Sequence, residues 1–371
     1  MKPRVQNRPI ARARRRNPLS NAQLAELLAL ESEKESHFVA KAFRKASRLA
    51  FTWPEEVTAI LIEDRSLTEL PGIGPYLARR IQEWIETPPD LPAAPQIRRN
   101  FLTMTEAKQI IAQKSAWARR YKGDLQMHTV WSDGSATIME MAEAAITRGY
   151  EYIGITDHSK GLKIAGGIDE QTLRAQSKEI DNVNAKLSRA GKRIQVLRSI
   201  ELNLNPQGAG DMESSALAEL DLVVGSFHSA LRKKEDQTQR YLAALRNPTV
   251  DILGHPRGRI YNYRVGLEAD WARVFAVAAA EDKAVEIDSY ADRQDLDVDL
   301  LKLARRAGAR VAIDTDAHHP HQLDFAILGL AAALRARIPA ERIVNFMTAD
   351  ELIQWVTARR ARVAAAELRA V

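Results

Sequence analysis

After Lys122 the chain settles into a rhythm that few folds accommodate. Seven short apolar runs follow one another, at Asp124–Met127, Tyr152–Ile155, Gln195–Ile200, Leu222–Gly225, Asp251–Leu253, Ala284–Ile287 and Arg310–Ile313. Helical patterns lie between most of them, including Ile138–Arg148, Gln171–Arg189, Ala269–Glu281 and Val298–Arg306. Strands that alternate with helices predict a parallel α/β sheet. Seven such units without a long insertion predict closure into a barrel, one unit short of the common eight. No internal repeat is visible.

Each predicted strand ends in residues of metal-binding type. His128 follows the first, Asp157 and His158 the second, Glu201 the third, His228 the fourth and His255 the fifth. Glu286 and Asp288 lie in or after the sixth; Asp314, Asp316 and His318 follow the seventh. In a parallel barrel these ends converge on the face where active sites are built. Five of the eight histidines take part, far more than scattered structural histidines would supply. With no cysteine in the chain, a metal has only imidazole, carboxylate and other oxygen ligands available, a set suited to zinc, manganese or iron. So many ligands exceed the needs of one ion and predict two or three. Such a centre bridges phosphate oxygens and lowers the pKa of a bound water to about 7, so the expected chemistry is phosphoester hydrolysis by a metal-bound hydroxide.

The remainder of the chain is of another kind. From 21 to 87 apolar residues recur at helical spacing (Leu24, Leu27, Leu28, then Val39, Ala42, Phe43, Ala46). Four prolines within residues 88–95 then predict a stiff linker, followed by a helix from Thr105 to Arg120 and connection to the barrel by 121. The barrel is expected over 122–340 and a helical extension over 341–371. The net charge of +6 is concentrated in residues 1–20, where seven basic side chains meet no acid, which leaves the rest close to −1. A tail of that composition buries no core and is expected to be disordered, either in contact with nucleic acid or simply solvated. No apolar run reaches the roughly 18 residues of a membrane span, and no apolar segment backs the basic start as in a secretory signal. The expectation is a cytoplasmic protein without a membrane partner. Oligomeric state is not set by the sequence.

Seven motifs in order, Gly123-Asp-Leu-Gln-Met-His-Thr, Trp131-Ser-Asp-Gly, Ile155-Thr-Asp-His-Ser, Ile200-Glu-Leu-Asn, Gly225-Ser-Phe-His-Ser, Leu253-Gly-His-Pro and Asp314-Thr-Asp-Ala-His, resemble the PHP (polymerase and histidinol phosphatase) domain over residues 122–340. The resemblance implies a distorted seven-stranded (β/α)7 barrel with three metals. One would use His128, Glu201 and Asp316, a second Glu201, His228 and His255, and a third Asp133, His158 and His318, with Glu201 and Asp316 at the centre of catalysis. The first motif departs from the family's His-x-His, since Gln126 stands where a histidine is usual. A carboxamide oxygen is a weaker ligand than imidazole; either Gln126 still ligates or water fills its place. Lys160 and Lys163 after the second strand, and Arg257 and Arg259 beside His255, are candidate phosphate contacts. His319 and His321 fall outside the motif and are expected to be bystanders.

Leu67-Thr-Glu-Leu-Pro-Gly-Ile-Gly-Pro-Tyr-Leu-Ala-Arg-Arg-Ile resembles a helix–hairpin–helix, against the alternative of a plain Pro-Gly turn. Leu70 and Ile81 would pack its helices, while Gly72 and Gly74 allow a tight turn whose N–H groups, with Arg79 and Arg80, grip a DNA backbone without sequence preference. The stretch 21–87 is similar to the N-terminal helical domain of bacterial family X DNA polymerases. Only about 35 residues separate it from the barrel, too few for a polymerase palm. Arg80 stands where some relatives carry a Schiff-base lysine, and a guanidinium cannot play that part. The sequence therefore describes an α/β phosphoesterase barrel with a small all-α DNA-binding domain, acting on DNA 3′ ends as a 3′-5′ exonuclease or 3′-phosphatase in repair. A small-molecule phosphatase of the histidinol-phosphate type, and a DNA-binding protein with a weakened barrel, are the alternatives.

Overall fold

A computed structural model describes residues 18–370. The predicted basic tail falls outside them except for Pro18, Leu19 and Ser20. By internal contacts the chain forms two compact units, one running to Arg98 with Thr103–Thr105, the other holding Arg99–Leu102 and everything from Glu106.

The first unit is helical, with helices Asn21–Lys34, His37–Leu49, Val57–Ile62 and Pro75–Glu86. Ser20 and Gln23 close a reciprocal capping box that fixes where the first helix starts. Leu24, Leu28, Phe43, Trp53, Ile60 and Ile81 are buried together with Leu70. Between the last two helices Gly72 takes φ +81°, a conformation that other residues rarely adopt, and Gly74 caps Pro75–Glu86. The Arg98 guanidinium is buried against Glu26 at 3.0 Å and Glu33 at 2.7 Å. The proline-rich stretch belongs to this unit.

The second unit is an α/β barrel of parallel strands: β1 Gly123–Asp124, β2 Tyr152–Ile155, β3 Gln195–Arg198, β4 Glu201–Asn203, β5 Val224–Ser226, β6 Ile252–Leu253, β7 Ala284–Asp288 and β8 Arg310–Asp314. They form two sheets, β1-β2-β3 and β4-β5-β6-β7-β8. The third predicted strand, Gln195–Ile200, is thus two: it breaks at Ser199–Ile200 and resumes at Glu201. The break leaves one sheet and joins the next, with His158 bridging to Glu201 and the Val224 N–H donating to the Ile200 carbonyl at 3.1 Å. The predicted helix 105–120 is also two, Met104–Ala112 and Ser115–Ala118.

Closure between β8 and β1 is made largely by side chains. A bridge pairs Met127 with Ala317, and the His128 N–H donates to the Ala317 carbonyl at 2.8 Å. Below that point the Leu125 N–H donates to Asp314 Oδ1 at 2.8 Å, and the Thr315 hydroxyl donates to Asp124 Oδ2 at 2.6 Å. Asn345 fills the rest of the seam. Its amide donates to the Gly123 carbonyl at 3.0 Å and to the Ile313 carbonyl at 2.9 Å, and its Oδ1 accepts from the Ile313 N–H at 2.6 Å. The segment after 340 is therefore part of the barrel wall, and the helix Ala349–Ala370 packs Leu352, Trp355 and Val356 against Leu125, Leu197, Val224, Ile252, Ala284 and Ala312. Helices Ile138–Thr147 and Glu170–Arg189 cover β2 and β3 with Met141, Ala145, Ile180, Val183 and Leu187. No helix among the described residues is long and apolar enough to cross a membrane.

Candidate metal centre

Glu201 sits where the third strand changes sheet, and its carboxylate is fully buried among imidazoles. Its Oε1 is 2.7 Å from His255 Nε2 and 3.2 Å from His228 Nε2, and its Oε2 is 3.0 Å from His158 Nδ1 and 3.5 Å from His128 Nε2. Burial alone would raise its pKa, but His158, His228 and His255 outweigh it and hold the carboxylate well below its usual range. Asp316 Oδ1 lies 3.0 Å from His128 Nε2. On the open side, Asp133 Oδ1 is 3.4 Å from His318 Nε2 and 3.5 Å from His158 Nε2. Asp133 and Asp316 are both lowered despite burial, Asp133 by His158 and His318, Asp316 by Arg293 and His128. His128 stacks between His158 and His318 at 4.3 Å from each.

The backbone supports this arrangement. Asp316 holds its carboxylate from the left-handed region at φ +51°, the kind of constraint that persists where surrounding structure enforces it. His318 Nδ1 bonds to the Asp316 carbonyl at 2.7 Å, which leaves Nε2 for the site; Asn203 does the same for His228 at 3.1 Å.

The donors fit divalent metal ions. His158 Nδ1 and His228 Nε2 approach Glu201 closely yet make no hydrogen bond, and His128 Nδ1 and Glu201 Oε2 are likewise buried without one. Buried polar atoms are nearly always hydrogen-bonded, so donors that crowd together without bonding one another are placed to share a cation. Three sets lie within ligating distance: His128, Asp133, His158 and His318; His158, Glu201 and His228; and His128, Glu201 and Asp316. His255 closes on Glu201 beside the second set. Gln126 is completely buried beside Gly254, and neither atom of its carboxamide has a partner.

Other residues at the strand ends build the scaffold. Asp157 accepts from the Thr129 N–H at 2.8 Å and from Gln176 at 2.6 Å, tying two loops together. Glu286 accepts from the His255 N–H, and Asp288 from the Tyr290 N–H at 2.7 Å. Burial raises both carboxyls well above their usual range.

The expected phosphate contacts are engaged by other partners. Arg257 and Arg259 each donate to Asp297 at 3.1 Å. Arg259 also bonds the Arg293 and Asn100 carbonyls and lies 3.8 Å over the Phe101 ring. Adjacency to His255 in sequence did not set their direction; the buried Asp297 did. Lys160 pairs with Glu170 at 2.7 Å on the surface. The guanidinium that does reach the centre is Arg293, 2.6 Å from Asp316 Oδ2 and 3.8 Å from Asp288 Oδ2. Five residues past β7, it carries no motif that would have marked it. His319 and His321 bond each other at the surface. In the helical unit, Gly72 and Gly74 form the turn as expected and Arg79 is exposed, but Arg80 pairs with Glu31 at 2.7 Å and Glu83 at 3.1 Å.

A parallel barrel with imidazoles and carboxylates converging on the carboxyl ends of its strands is the arrangement of a metal-dependent hydrolytic centre. The model of the PHP domain matches residues 124–290. A probable phosphatase of Photobacterium profundum is 30% identical over 207 residues, 53% of this chain and 77% of that one. The chain belongs to the PHP domain family. It is also similar to the DNA polymerase/3′-5′ exonuclease PolX of Bacillus subtilis (strain 168), 38% identical over 225 residues, covering 60% of this chain but only 39% of that protein's length. Among solved structures, histidinol phosphate phosphatase of Lactococcus lactis, complexed with zinc, L-histidinol and phosphate, matches at a TM-score of 0.41 and 18% identity, covering 57% of this chain and 94% of that one.

Proposed function

We propose that the barrel hydrolyses phosphoester bonds at DNA 3′ ends, as a 3′-5′ exonuclease or 3′-phosphatase serving repair, with the helical unit holding the DNA. The observation that carries the hydrolytic part is Glu201, whose two oxygens each face two imidazoles while Asp133 and Asp316 flank them. Two or three zinc, manganese or iron ions would be held by His128, Glu201 and Asp316; by Glu201, His228 and His255; and by Asp133, His158 and His318. Bound there, they would supply Lewis acidity and an activated water. Glu201 fixes the spacing between sites, and Arg293 steadies Asp316 while presenting a fixed positive charge for a phosphate oxygen. The DNA part rests on the similarity to PolX and on a helix–hairpin–helix at Val57–Glu86, whose Gly72–Gly74 turn offers backbone N–H groups to a phosphate.

The relatives described as probable phosphatases favour a second reading, a small phosphomonoester as substrate. One experiment separates the two: purified protein with manganese is offered 3′-labelled DNA, 3′-phosphorylated DNA and histidinol phosphate side by side. Turnover of either DNA substrate well above histidinol phosphate is expected; the reverse order overturns the DNA assignment and leaves the phosphoesterase.

A further inference from the structure

Among the described residues of the barrel unit, the large apolar side chains left exposed are Val130, Ile164 and Tyr263, at 56%, 96% and 57%. All three lie in loops that leave the carboxyl ends of ligand-bearing strands: Val130 two residues after His128, Ile164 six after His158, Tyr263 eight after His255. The first two loops touch, since a Cβ on Gly166 would sit 3.2 Å from the Ser132 carbonyl. The third packs on the loop after β5, where Gly258 approaches Leu231 and the Arg232 guanidinium lies 4.5 Å over the Tyr263 ring. Exposed apolar groups scattered over a surface mean little, whereas confinement to the rim of one site marks a ligand.

We infer that this rim is a subsite for a nucleobase, with Tyr263 and Arg232 as its stacking platform, so that the centre takes a nucleotide whose base rests on the rim while its phosphoester enters. The inference rests on the DNA-end reading and sharpens it. A flat base suits a half-exposed phenol ring already capped by a guanidinium, because both present π faces that stack without regard to sequence. The charge around the platform agrees. Arg232 and Lys234 are exposed, Lys233 pairs with Glu235 at 3.0 Å, and Asp236 bonds Thr238, so the loop keeps a net positive charge toward an anionic strand. A cationic metabolite such as an amino alcohol phosphate gains nothing from Arg232 and is repelled by it.

The test compares an oligonucleotide ending in thymidine 3′-phosphate with the same strand ending in an abasic analogue, and free thymidine 3′-phosphate with its base-free sugar phosphate. Wild-type protein is expected to prefer the base in kcat/KM by about tenfold, the order one stacked base supplies. The double variant Tyr263→Ala, Arg232→Ala should bring the ratio near unity, and Tyr263→Trp should keep it. A preference in the strand pair assigns a DNA end, and one confined to the free pair a mononucleotide; either supports the subsite. Equal rates with and without the base in wild type overturn the subsite and leave the DNA-end reading standing. Failure on every one of these substrates and on the same strand ending in a 3′-hydroxyl, with p-nitrophenyl phosphate still hydrolysed, overturns both.

Discussion

Gln126 stands two residues before His128, on the same face of an extended segment, and its carboxamide is buried without a partner. A buried amide lacking hydrogen bonds costs free energy, on the order of 1–3 kcal/mol, unless something else satisfies it. A carbonyl oxygen is a poor substitute for imidazole toward a transition metal, so Gln126→His is expected to tighten binding of the loosest ion by at least about tenfold. Metal titration of both proteins under one buffer decides this; equal stoichiometry and affinity would remove residue 126 from the ligand shell. The five histidines and Glu201 were legible because residue type and strand-end position together determine where they point. Arg257 and Arg293 were not, since a loop side chain follows its tertiary partners, and Asp297 captured one while Asp316 captured the other. Arg293→Ala should therefore lower kcat/KM by roughly 10²-fold, as loss of a placed charge donor does. Arg257→Ala should act mainly on stability. Steady-state kinetics beside urea unfolding of both variants checks the contrast.

At the level of elements, short strands were placed well where an apolar run has polar neighbours on both sides. Tyr152–Ile155 is found as the pattern predicts, and so nearly are the helices Ile138–Thr147 and Glu170–Arg189. The break between β3 and β4 has no local signature, because Gln195–Ile200 reads as one run and only the partner strands on either side force it apart. The β1–β8 seam was equally hidden. Asn345 lies more than 200 residues from Gly123 in sequence, yet its side chain replaces the ladder between the two strands. Asn345→Ala would remove the partner of the buried Ile313 N–H and the amide bond to the Gly123 carbonyl, and is expected to cost about 2–4 kcal/mol. A urea midpoint unchanged from wild type would show that the seam does not depend on it.

Across the whole molecule, stability and chemistry divide between the two ends of the barrel. The end opposite the ligands buries Lys283, whose ammonium donates to the Asn247 carbonyl. Burial, with Arg359 nearby, pushes this lysine down to about 7. Between about 7 and 10.5 the unfolded chain then binds more protons than the folded one, so stability should rise with pH across that window by up to about 1.4 kcal/mol per unit. Urea unfolding at pH 7 and 9 should show the rise in wild type and its loss in Lys283→Met; equal slopes would contradict it. At the other end everything depends on one carboxylate. Glu201→Gln keeps the shape and removes the charge that four imidazoles surround. Elemental analysis and phosphoester hydrolysis should be run together on wild type and this variant. Two or three metal equivalents are expected in wild type, with loss of metal in the variant and a fall in rate beyond the roughly 10–100-fold typical of outer-shell changes. Full metal content with a wild-type rate in Glu201→Gln would contradict it.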